Sequence, residues 1–81
     1  MRMTDEQRIQ RGYRAKHLIN SEAFPECIAE LNRILHGAIE TFPDDDPDKV
    51  MPIVRQLRAI RAIETRLASW AADGERLSRQ K

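Results

Sequence analysis

The stretch SEAFPECIAELNRILHGAIETF, residues 21–42, decides how the chain is to be read. Within it Phe24, Ile28, Leu31, Leu35, Ala38 and Phe42 recur at intervals of four and three, which lays one apolar stripe along a single helix face. Such a stripe needs a partner. The segment DPDKVMPIVRQLRAIRAIETRLASWAAD, residues 46–73, supplies one, because Ile53, Leu57, Ile60, Ile63, Leu67 and Trp70 repeat the helical spacing. A short acidic turn with a proline at each end, 43–47, joins the two. The expected fold is therefore all-α: an antiparallel helical hairpin, about 22–42 and 47–73, with a short N-terminal helix, about 4–19, packed on it. No strand-like alternation, internal repeat or low-complexity tract interrupts this pattern, and residues 1–81 read as a single domain.

On the N-terminal side, Thr4 with Gln7 three positions on matches a capping box, and Asp5 and Glu6 sit where the helix dipole favours acids. The apolar content of this first helix is thin: Ile9, Tyr13, Ala15, Leu18 and Ile19, with Gly12 costing about 1 kcal/mol of helix propensity relative to alanine. It is expected to dock by its C-terminal half. Asn20 and Ser21 break the helix, Ser21 offers an N-cap to the second, and Pro25 falls in that helix's first turn, where its missing N–H has no intrahelical partner to lose. Gly37 beside Ala38 either admits a close neighbour or is a tolerated weak point. Further on, Asp44, Asp45 and Asp46 offer caps to the third helix, and Pro47 suits its first position. Pro52 removes a helical hydrogen bond, so a bend or a short separate turn is expected there. Asp73 and Gly74 read as the stop, with 75–81 a frayed polar tail.

Charge is segregated beneath a net of +1. Residues 1–20 carry five bases against two acids, a net of +3; residues 21–46 carry one against seven, −6; residues 47–81 carry eight against four, +4. An acidic helix between basic ones can be neutralised within the protomer or across a subunit interface. The single cysteine, Cys27, cannot form an internal disulfide and flanks the apolar stripe, where a small apolar filler is expected. With no signal-peptide pattern and no apolar run near the roughly 20 residues of a membrane span, the chain is expected in the cytoplasm.

Catalytic and metal patterns fail where they can be tested. Asp44, Asp46 and Asp48 have the alternate spacing that opens a calcium loop, but Lys49 stands where its glycine belongs and Arg55 where its bidentate glutamate belongs. Arg33, three residues before His36, occupies the place of the glutamate in a helix-borne iron or manganese site. His36 with Glu40 one turn on reads as a surface ion pair. Three glycines, far apart, make no phosphate loop. Neither an enzyme, a cofactor nor a small-molecule substrate is expected.

The apolar residues outnumber what two helices and a thin third can cover. The candidate interface residues are Phe24, Cys27, Ile34, Ile39, Val50, Val54 and Trp70, and the expected partner is a second copy or another protein. Trp70, at the end of its stripe, should plug the open end of the hairpin near Phe24 and Cys27, or anchor an interface. Arg8, Arg11 and Arg14 on the first helix, with Arg55, Arg58 and Arg66 on the third, form bands that a nucleic acid would want. Few aromatics for base stacking and seven acids in the middle segment argue against it.

The order of an arginine-rich first helix ending RGYRAKHLINSEAF, an acidic helix, a proline and aspartate turn, and LRAIRAIETRLASWAADG resembles small helical proteins encoded by tailed bacteriophages and prophages. That resemblance covers most of the chain and implies a structural or assembly role, in the host cytoplasm or the virion, with no active-site motif to carry over. The leading expectation is a self-associating phage structural or assembly protein. A packaging accessory that binds nucleic acid and a phage-made inhibitor of a host protein are the alternatives.

Overall fold

The computed structural model describes residues 2–42 and 46–80, and among these three helices and no strand are found: α1 (Asp5–Asn20), α2 (Ala23–Thr41) and α3 (Pro47–Arg79). The protein is all-α. Expectations for Pro43, Asp44 and Asp45, including their part in the turn and the caps, lie outside the described residues.

Local chemistry explains each helix start. Thr4 accepts a hydrogen bond from the Gln7 N–H while the Gln7 side chain accepts one from the Thr4 N–H, so the capping box is closed both ways. Pro47 occupies the first turn of α3, as its fixed φ and missing donor favour. Asp46 stands at the N-cap of α3, yet its side chain makes no cap bond and lies 3.5 Å from Lys49 Nζ instead. Ser21 does not cap α2. Its hydroxyl donates to the Leu18 carbonyl at 2.6 Å and closes the end of α1, leaving α2 to begin at Glu22 without a side-chain cap.

The third helix departs from the expected 47–73 in two places. Pro52 lies inside one continuous helix, with no separate turn before Ile53. At the other end Gly74 is not a stop: no described residue has a positive φ, and α3 runs a further turn and a half to Arg79, with Leu77 buried at 7% exposure. Residues 75–79, read as a frayed tail, are helix, because Leu77 has a neighbour to pack on.

That neighbour is α1, which makes the most extensive packing in the molecule with α3. The contact is centred on two glycines. A Cβ added to Gly12 would meet the Trp70 carbonyl oxygen at 2.6 Å and Gly74 Cα at 2.8 Å, and one added to Gly74 would meet Gly12 Cα at 2.9 Å. Backbone therefore lies against backbone in the middle of α1, and the contact takes in its C-terminal half, where Ala15 is buried and Lys16 pairs with Glu75. Arg8 and Lys16, about 12 Å apart along α1, pair with Asp73 and Glu75, only about 3 Å apart along α3 and on opposite flanks of it. The two basic side chains thus hold α1 to α3 on either side of the glycine contact.

The buried residues mark where the core sits: Gly12, Ala15, Leu67, Gly74 and Leu77, all where α1 crosses the C-terminal half of α3. The other end is unfinished. None of the 19 residues of α2 is buried, and in α3 none before Leu67 is.

Candidate interaction surface

Trp70 meets α1. Its ring lies under the Arg11 guanidinium, with Cζ 4.6 Å from the ring centroid, and its backbone carbonyl abuts Gly12. Its exposed edge lines an open hollow with Ala62, Ile63, Arg66 and Leu67. Phe24, the expected neighbour, lines a different one with Ile19, Ile28, Glu64 and Ala68. The apolar stripe of α3 is thus divided: Leu67 and Trp70 go to the α1 crossing, while Val54 and Leu57 line a hollow with Asn32 and His36 of α2.

The other candidate interface residues are all accessible. Phe24, Ile39, Val50 and Val54 are half-buried, Cys27 is an exposed free thiol, and Ile34 is 52% exposed. Cys27 is therefore no core filler. Leu18, Leu31, Met51 and Ile63 are exposed as well, although spacing placed Leu31 and Ile63 in the paired stripes, and Tyr13 is the most exposed large hydrophobic side chain at 74%.

The arginine bands separate into engaged and unengaged groups. Arg8 donates from Nε and Nη2 to both carboxylate oxygens of Asp73, at 3.0 and 2.6 Å, and Arg76 donates to the same carboxylate at 2.7 Å. These bonds hold the Asp73 carboxyl below its ordinary pKa, Arg8 first and Arg76 second, and raise that of Arg8. The Lys16 ammonium does the same for Glu75. Arg11 covers Trp70, and its Nε is enclosed without a hydrogen-bond partner. Among the described residues Arg55, Arg58, Arg61 and Arg66, all exposed on α3, are in no ion pair. Nor do His36 and Glu40 pair, against expectation.

No group of three His, Cys, Asp or Glu side chains is placed to hold a metal ion among the described residues, and no helix is long and apolar enough to cross a membrane. Comparison with protein-family models, curated proteins and solved structures finds no match for the chain.

Proposed function

We propose that this chain is a non-enzymatic protein–protein interaction module that works by self-association. One observation carries the reading: the chain is larger in surface than it should be alone. Its accessible area is 6613 Å², where a folded monomer of this mass exposes about 5,000 Å². Its radius of gyration is 17.0 Å, where a compact chain of this length has about 12 Å. The excess, roughly 1,600 Å², exceeds the ~800 Å² that each partner buries in an interface of ordinary size.

In this reading α2 and the N-terminal half of α3 form the antiparallel hairpin, and the hairpin is the interaction element. The paired hollows support that register: early α2, at Phe24 and Ile28, lies opposite Glu64 and Ala68, while later α2, at Asn32 and His36, lies opposite Val54 and Leu57. The resemblance to small helical proteins of tailed phages supports an assembly role for the module. Light scattering during size exclusion tests self-association directly: a mass above that of one chain at micromolar concentration is expected, and a monomer at every concentration overturns the reading.

Four exposed arginines of α3 that form no ion pair among the described residues favour one second reading, a nucleic-acid-binding accessory using Arg55, Arg58, Arg61 and Arg66. Its signature is affinity for DNA or RNA that falls steeply with salt. No retardation of either at low salt ends it.

A further inference from the structure

Helix α2 carries two apolar strips, and only one is used within the chain. Phe24, Ile28, Leu35 and Phe42, on the first, are all half-buried. A second, overlapping strip runs along its flank through Cys27, Ile34 and the stripe's own Leu31, spaced by four and three so that the three side chains align along one face. On this strip Cys27 is exposed, Leu31 is 40% exposed and Ile34 is 52% exposed. No charge falls on it. Glu26, Arg33 and Glu40 lie toward the opposite side of the helix, and Glu30 borders its edge.

We infer that the Cys27, Leu31 and Ile34 strip is the seam on which a second copy of this chain seats, the same strip of each copy meeting about a two-fold axis. The inference rests on the self-association reading and names its surface. A closed two-fold contact uses one patch on both partners, and an uncharged apolar strip is complementary to itself. The area left over, roughly 1,600 Å², suffices for the ~800 Å² that a stable dimer needs from each copy, with the half-buried α2 and α3 residues contributing the rest. Charge points to the same occupant. Glu22, Glu26 and Glu40 lie away from the strip, so two copies of the acidic α2 can meet along it with their charges directed to solvent, at a net of only +1 per chain.

The test compares the full-length wild type, Ile34→Glu and Tyr13→Glu by light scattering, alongside the rate at which maleimide alkylates Cys27 in the wild type. The wild type is expected at twice the chain mass. Ile34→Glu should weaken association at least about tenfold while keeping its helical circular dichroism, because the new charge is exposed in the monomer and buried in the dimer. Tyr13→Glu, on α1, should leave the dimer intact. Cys27 alkylation should slow as concentration carries the wild type from monomer to dimer. This last readout needs no variant and stands even if Ile34→Glu fails to fold. A dimer indifferent to Ile34→Glu, or Cys27 alkylated equally fast in both states, overturns the seam and leaves self-association standing. A wild type that stays monomeric, with or without nucleic-acid binding, overturns both.

Discussion

Gly12 and Gly74 are the residues on which the α1 crossing turns, and alanine at either should act against its usual effect in a helix. Propensity alone would gain about 1 kcal/mol from Gly→Ala. Here the added methyl meets backbone at 2.6 to 2.9 Å, which no rotamer change relieves, so the helices must separate. Overpacking of this kind costs about 1 to 3 kcal/mol, and the net expectation for Gly12→Ala is a loss of up to about 2 kcal/mol. Gly37 is the internal control: nothing lies within 4 Å of its missing Cβ, so Gly37→Ala should raise stability by up to about 1 kcal/mol. Urea melts of the two variants should move in opposite directions; a gain from both would mean that the glycine contact is looser than described. Trp70 can report on the same contact. As the chain's one tryptophan, its emission should shift to the red in Arg11→Ala, which uncovers the ring.

At the scale of the element, the ion pairs tie α1 to α3 in a pH-dependent way. Asp73 accepts from Arg8 and Arg76 and has a folded pKa below that of the unfolded chain, and Glu75 is lowered in the same sense by Lys16. The stabilisation is therefore complete above the ordinary carboxylate pKa of about 4 and is lost as pH falls through the depressed values. The melting temperature should drop on acidification below about pH 4, and Asp73→Asn should both lower it at pH 7 and flatten its acid dependence. An unchanged acid limb in that variant would assign the effect to other carboxylates. The C-terminal turn and a half of α3 makes a second prediction. Leu77 is 7% exposed against α1, so Leu77→Ala should cost about 2 to 3 kcal/mol, as truncation of a buried leucine does. A tail that frayed after Gly74 would tolerate both that change and removal of residues 75–81 without any shift in the melt.

The whole molecule has a finished end and an unfinished one, and its extents of 55 × 29 × 17 Å follow from that division. Where α1 crosses α3, backbone contact, two interhelical ion pairs and three buried apolar side chains, Ala15, Leu67 and Leu77, make a small core. Where α2 lies against α3, every residue keeps some solvent exposure. Thermal stability should accordingly rise with protein concentration, since association stabilises the folded state by mass action. A melting temperature constant over a hundredfold range of concentration would mean that the α1 crossing alone holds the fold.

The existence of the helices, the closed capping box at Thr4 and Gln7 and the starting proline of α3 were legible in the sequence, because each depends on residues three or four apart that meet in any helix. The amphipathic face of α2 was legible for the same reason. Tertiary structure alone decided which faces meet. A glycine inside a helix reads as a weak point until another backbone is found 2.8 Å from where its Cβ would be, as at Gly12. Gly74 looked like a stop because local chemistry permits one there, and the helix continues because Leu77 gains more from α1 than the chain gains from ending. Arg8 and Asp73, 65 positions apart, carry no mark in the sequence that pairs them. Nor does the spacing of the α3 stripe show that Leu67 and Trp70 turn to α1 while Val54 and Leu57 stay with α2. Periodicity defines a face, but the partner of that face is set by which long-range contacts exclude the most apolar surface at once.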